Sequence, residues 1–467
     1  MEETREIPLK GQMTEGRIGR KLLLFALPLM FSNLCQQLYN TADAVIVGRL
    51  VGADALAAVG ASSLLITFMI YFFIGLSIGA SVLISQFFGS RKYDKVQEAV
   101  HTAVALSLVS GLVLTVLGLA FAPAMLRMMN IPEVGLAYAI PYIRIYFLGM
   151  IPMTLYNIGS GVLRAVGDSK TPLACLVVTV VLNIGLDLLF VGPLCMGVAG
   201  AALATALAQL AAAVLIVIIL LRADSIYRLR PARIRFHVQT LRDIVRIGLP
   251  AGLQSVLVCF SNVVVQSQIN TFGLEVMAGF TAYMKIDGFL FMPIDAFCLA
   301  ISNFVGQNMG AGRWERVVKG KNVCLLLCVG VTLGLGVMII LNARLILGMF
   351  TSDEAVVLNG MRQLYTVVPL YGIYAADQVF VGVLRGAGAT VIPMVITLVC
   401  MCGLRLSWIF TTLRFIHDAR MIYLSYPLTW IVTGAVLLLY YYKGGWRPER
   451  AVRKIVKNSK EVVDKAA

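Results

Sequence analysis

The sequence predicts an all-α, polytopic membrane protein of twelve transmembrane helices arranged as two parallel six-helix lobes. Three observations lead there. Of 467 residues, 59% are hydrophobic and only 13% charged, against about 25% charged in an ordinary soluble chain. The apolar residues gather in runs that meet the ~20 residues a membrane-spanning helix needs. The chain also repeats itself at an offset of 221 to 222 residues. A membrane β-barrel is excluded because its strands alternate polar and apolar residues, whereas Ala211–Leu221 is apolar on every face.

Apolar segments bounded by charge or turn clusters fall near 22–48, 55–84, 97–124, 135–162, 171–194 and 197–221. A second set follows near 247–272, 276–305, 321–347, 357–383, 391–413 and 420–442. Residues 1–21 read as a cytoplasmic N-terminus, 22–221 as the first lobe and 222–246 as a basic cytoplasmic linker. Residues 247–442 read as the second lobe and 443–467 as a basic cytoplasmic tail. The first 20 residues are polar and carry both charge signs, unlike a secretory or organellar presequence.

The net charge of +15 invites a nucleic-acid partner, so the placement of the 39 Lys and Arg residues decides. With an even number of spans and both termini inside, 30 fall in inner segments, five in outer loops and four within spans. That asymmetry accounts for the basicity through topology in the cell membrane, without nucleic acid. Nine Cys with no CxxC pair and three scattered His residues offer neither a disulfide scaffold nor a zinc site. No GxxxxGK[ST] loop is present, so ATP is not the direct driver.

The repeat is carried by short motifs. Gln86-Phe-Phe-Gly89 with Lys92-Tyr93-Asp94 after span 2 matches Gln307-Asn-Met-Gly310 with Arg313-Trp314-Glu315 after span 8. Gly161-Val-Leu-Arg164-Ala-Val-Gly167 after span 4 matches Gly382-Val-Leu-Arg385-Gly-Ala-Gly388 after span 10, and Leu27-Pro28 matches Leu249-Pro250. An even number of spans per repeat makes the halves parallel, related by an axis along the membrane normal, with a cleft at the centre.

Acidic residues inside spans cost about 2.5–3.5 kcal/mol each and mark function by default. Asp43 lies six residues from Arg49, ~9 Å below the outer surface at ~1.5 Å per residue. Asp187 lies fifteen residues from Pro172, which places it ~8 Å below the outer edge of a ~30 Å core. The two carboxylates share a depth. Asn183 precedes Asp187 by four residues and points from the same face, and Thr205 sits about two turns inside span 6. Two carboxylates, an amide oxygen and a hydroxyl suit a hard monovalent cation or a shared proton, because close carboxylates in low dielectric cannot both stay ionised. Asp287 and Asp295 in span 8 and Asp377 in span 10 are further intramembrane acids, with Asp295 read as structural. Gln36, Gln37 and Asn40 of span 1, Gln254 and Gln266 of span 7, and Asp287 and Asp377 are the candidate substrate-cleft residues. Hydrogen bonding between helices is the alternative use of the amides.

Over nearly its whole length the chain resembles the multidrug and toxic compound extrusion (MATE) transporters of prokaryotes. The likeness rests on Leu38-Tyr39-Asn40-Thr41-Ala42-Asp43, the Gln307–Arg313 loop, the two Leu-Arg-x-x-Gly loops and the duplicated twelve spans. It implies a monomeric secondary antiporter that exports organic, often cationic or amphipathic compounds in exchange for H+ or Na+ by rocker-type alternating access. No cofactor is implied beyond the coupling ion. It also implies a cation site built from an Asp in span 1, an Asn-x-x-x-Asp pair in span 5 and a Thr in span 6. Asp43, Asn183, Asp187 and Thr205 match these positions, and they would be the metal ligands if the ion is Na+. A flippase for a lipid-linked precursor is the alternative within the superfamily, favoured by a more basic cleft than four intramembrane cations provide. An intramembrane aspartyl enzyme is a more distant one, since two aspartates on adjacent helices can form a dyad. Neither Asp stands in a GxGD motif, so no catalytic residue is assigned.

Overall fold

The computed structural model describes residues 12–128, 133–351, 353–444 and 446. Arg5 and Lys10 of the expected inner N-terminus lie outside the described residues, as do Arg447, Arg450, Arg453, Lys454, Lys457, Lys460 and Lys465 of the expected tail. Among the described residues there is no β-strand. An apolar run in lipid must satisfy its own backbone, and a helix does so within a single segment.

The first repeat folds as α1 (Ile18–Leu50), α2 (Ala53–Gly89), α3 (Tyr93–Met128), α4 (Glu133–Leu148), α5 (Met150–Ala165), α6 (Lys170–Val191) and α7 (Gly197–Arg222). The second folds as α8 (Val238–Ile269), α9 (Leu274–Gly310), α10 (Trp314–Leu341), α11 (Ala343–Gly348), α12 (Glu354–Val367) and α13 (Tyr371–Gly386). It ends with α14 (Val391–Ile396), a π-helix (Thr397–Gly403), α15 (Leu404–Phe415) and α16 (Ala419–Lys443). Eleven helical runs among the described residues are long and apolar enough to cross a membrane, α12–α13 and α14–α15 each counting once. The pair α4–α5, bent by 48°, makes a twelfth. Both repeats break this span at the same register: at Gly149 in the first, and in the second at a 3-10 turn, Val368–Leu370, where Pro369 lacks the N–H that would continue the helix.

Helices α2 and α9 have 37 residues each, about 55 Å at ~1.5 Å per residue, and so outrun a ~30 Å hydrocarbon layer.

The chain folds into two compact units. The first runs to Val256 and takes in Gln307–Arg313; the second comprises Leu257–Gly306 and the chain from Trp314 onward. Within the first unit the two Gln-x-x-Gly motifs cross backbone to backbone. A Cβ at Gly89 would land on the Gln307 carbonyl, and one at Gly310 on the Gln86 carbonyl, so only glycine fits. Gln307 is fully buried. Its Nε2 donates to the Ala165 carbonyl at 2.8 Å and its Oε1 accepts the Met13 N–H at 2.8 Å, while Arg313 Nη1 donates to the Thr14 carbonyl at 2.6 Å.

Residues 222–246 are tied to α3. Gln97 Nε2 donates to the Ile226 carbonyl at 2.6 Å, and the Arg230 N–H donates to His101 Nε2 at 3.0 Å. Because Nε2 accepts, the ring proton sits on Nδ1 and goes to the Gln97 carbonyl, 2.7 Å away. Burial, with the charge of Asp168 adding, pushes the nearby Tyr227 hydroxyl above its ordinary pKa.

The second unit has an aromatic core in which Tyr371 and Tyr374 pack on Trp430, with ring centroids 4.9 and 5.1 Å apart. Cys195 is exposed in the turn between α6 and α7 at a φ of 49°.

Candidate cation site

In the first unit α6 packs against both α1 and α7, and α4 packs against α7. The buried face of α6 carries Thr179, Val180, Asn183, Asp187 and Val191, the three- and four-residue spacing of one helical stripe. Asn183 and Asp187 are both 0% exposed. Neither atom of the Asn183 amide and neither Asp187 oxygen has a hydrogen-bond partner, and the buried Asp43 Oδ1 on α1 has none either. Asp43 and Asp187 act on each other electrostatically. Thr205 is buried on α7. The four residues singled out in the sequence thus stand on three mutually packed helices, all toward the same end of the unit.

Tyrosines complete the cluster. Tyr39, four residues before Asp43, is buried within reach of Asp43, Asp187 and Thr205, and its hydroxyl also lacks a partner. Tyr142 on α4 is buried and acts on Asp43, Tyr39 and Asp187, with Tyr146 beside it at a ring separation of 6.0 Å. None of the three stands out in the sequence, because tyrosines near the ends of spans belong by default to the interfacial belt. The signal was the four-residue spacing of Tyr39 to Asp43 and of Tyr142 to Tyr146.

Six polar atoms in one buried place are therefore left without a hydrogen-bond partner outside the cluster: the Tyr39 hydroxyl, Asp43 Oδ1, both amide atoms of Asn183 and both oxygens of Asp187. Leaving such groups unpaired costs ~1–3 kcal/mol each. Five of the six are oxygens, the donor type that suits a proton or a hard cation. Among the described residues no group of three or more His, Cys, Asp or Glu side chains is placed to hold a metal ion, and the acids of this cluster are two.

The expected cleft residues are spread more widely. Gln36 and Asn40 are exposed on α1, Gln37 and Gln266 are half-buried and Gln254 is buried. Gln266 Nε2 donates to Asn270 Oδ1 at 2.9 Å. In the second unit Asp287 Oδ1 accepts the hydroxyls of Tyr283, at 2.8 Å, and Tyr371. Asp377 is 2% exposed, its Oδ2 has no partner, and its Oδ1 lies where a Cβ at Gly434 would come within 2.5 Å. Asp295 is accessible and feels the charge of Arg385.

A duplicated bundle of membrane-spanning helices with acids buried between them defines a membrane transporter. The chain belongs to the MatE family of multidrug efflux transporters: the family profile matches residues 28–189 and 250–411, one stretch in each repeat. Members of this family are transporters, not enzymes. The "Probable multidrug resistance protein YoeA" of Bacillus subtilis (strain 168) is 28% identical over 466 residues, covering 97% of this chain and 100% of the relative. The "Multidrug export protein MepA" of Staphylococcus aureus is 24% identical, covering 81% and 84%. The solved structure of a MOP superfamily transporter from Pyrococcus furiosus shares the fold with a TM-score of 0.87 at 24% identity, over 92% of this chain and 97% of that one.

Proposed function

We propose that this protein is a secondary antiporter that exports organic, often cationic or amphipathic compounds in exchange for inward H+ or Na+. Asp43, Asn183, Asp187 and Thr205 form the coupling site, with Tyr39 and Tyr142 closing it. The observation that carries this is the single buried cluster of six orphaned polar atoms in the first unit. The printed names of the relatives, multidrug resistance and multidrug export proteins, support the substrate class.

A cation or proton at the site relieves the repulsion between Asp43 and Asp187 and lets α1 and α6 draw together. Helix α1 runs unbroken through Pro28, which removes one backbone hydrogen bond from the span and leaves it easier to bend. Because only differential affinity shifts a conformational equilibrium, the cation binds one of the two access states more tightly. The lobes 22–221 and 247–442 rock about a cleft to which Gln36, Gln37, Asn40, Gln254, Gln266, Asp287 and Asp377 contribute. The chain works as a monomer, with its termini and the Gly89 and Gly310 turns on the cytoplasmic side.

The test is export of a fluorescent organic cation from proteoliposomes under an imposed Na+ gradient and, separately, an imposed pH gradient. One gradient accelerates export if the proposal holds. Export that ignores both refutes it.

A further inference from the structure

A buried guanidinium stands in the second repeat at the place where the first gathers its orphaned acids. The buried face of α6 carries Pro172, Cys175, Leu176, Thr179 and Val180, and 221 residues later Pro393, Ile396, Thr397, Cys400 and Met401 are buried. Beyond the π-helix the offset becomes 222, so that Asn183 and Asp187 fall on Arg405 and Ile409, both buried. A π-turn holds one residue more than the α-turn it replaces, which accounts for the change. The buried faces of α7 and α16 match at 221, Ala204 with Ser425, Ala208 with Thr429 and Ala212 with Thr433. Thr205 then falls on Tyr426. At the 222 offset of Pro28 and Pro250, Asn40 and Asp43 fall on Asn262 and Val265.

In the second repeat, then, both carboxylates have become aliphatic and the amide has become an arginine. Arg405 is 4% exposed. Its Nη1 donates to Asn262 Oδ1 at 3.3 Å, its Nη2 donates to Thr429 Oγ1 at 3.2 Å, and its guanidinium carbon lies 4.3 Å from the Tyr426 ring centroid. These partners come from α8 and α16, the counterparts of the helices that supply Asp43 and Thr205. A buried charge persists only where hydrogen bonds and charge partners compensate it, and a cation over an aromatic face is one such compensation.

We propose that Arg405 is a resident cation, filling permanently in the second repeat the position at which the first repeat takes its exchangeable coupling cation. Arginine does not deprotonate in proteins, so this position neither loads nor releases an ion. The duplicated chain then has one exchangeable site of this kind rather than two. The inference rests on the cation-site reading of the first unit given above.

The experiment follows the unfolding temperature of the purified full chain in detergent. Arg405→Ala opens a hole bordered by Asn262, Thr429 and Tyr426, and is expected to lower that temperature by several degrees. Millimolar methylguanidinium restores it, N-methylurea, which is neutral and of similar shape, does not, and the unmodified protein responds to neither. A wild-type unfolding temperature in Arg405→Ala, or equal rescue by N-methylurea, overturns the proposal. If Arg405→Ala does not fold, Arg405→Lys and Arg405→Gln decide, since retained charge should preserve stability and equal stability of the two refutes the idea. Adding Asp187→Asn leaves the methylguanidinium rescue intact. A Na+ or pH response of the unmodified protein that survives Asp187→Asn would instead sink the first-unit reading without touching the rescue.

Discussion

Asn183 and Asp187 stand one turn apart on the buried face of α6, and none of their four side-chain polar atoms has a hydrogen-bond partner outside the pair. Fold stability alone would not keep such a pair, since each orphaned group costs ~1–3 kcal/mol. Under the proposed function the missing partner arrives and leaves with each transport cycle.

Replacing either carboxylate by its neutral isostere separates these roles. Asp187→Asn or Asp43→Asn should fold and insert normally, because volume is kept and a buried charge is removed. Coupled efflux from proteoliposomes should fall to background in either variant. Wild-type rates in either would remove that residue from the site.

Asn183→Ala should be milder. It deletes one neutral oxygen ligand and no charge, so the ion concentration for half-maximal efflux should rise about tenfold, equivalent to ~1.4 kcal/mol. Damage exceeding that of Asp187→Asn would assign the amide to substrate instead.

Tyr39→Phe removes a hydroxyl whose only hydrogen-bonding neighbour is Thr205, itself a member of the cluster. The unfolding temperature should therefore stay near that of the parent while the ion concentration for half-maximal efflux rises. Unchanged ion dependence would show that Tyr39 only packs.

His101→Ala should loosen the connection between the repeats. It leaves the Arg230 N–H without its acceptor, at a cost of ~1–3 kcal/mol. The segment 222–246 carries seven arginines, and trypsin should cut there faster than in the parent. An unchanged cleavage rate would mean that the tether is made elsewhere.

Gly310→Ala would drive a methyl group into the Gln86 carbonyl, whereas Gly60→Ala meets nothing within 4 Å. The first should lower the unfolding temperature and the second should not, with equal effects contradicting the close crossing of the two motifs.

Much of this was legible in the sequence. Apolar runs located the spans, and the fixed offset between the Gln-x-x-Gly motifs revealed the duplication, because a repeated turn needs the same residues twice. The break at Gly149 was hidden, since the run 135–162 stays apolar across it, and the separate α11 was hidden in the run 321–347 for the same reason. Tyr39 and Tyr142 escaped notice because a tyrosine side chain announces neither its burial nor its partner. The correspondence of Arg405 with Asn183 was hidden because it depends on the π-helix, which composition does not reveal. The anchoring role of His101 depends on an acceptor 129 residues from its donor, a separation that no local pattern records.

The central claim is that the cluster around Asp43 and Asp187 holds the coupling cation. It is tested most directly by equilibrium binding to the purified protein, with calorimetric Na+ titration and proton uptake after a pH step, on the parent and on Asp187→Asn. Binding of one of the two ions by the parent and its loss in Asp187→Asn is the predicted result. Binding of either ion that persists undiminished in Asp187→Asn would contradict the claim.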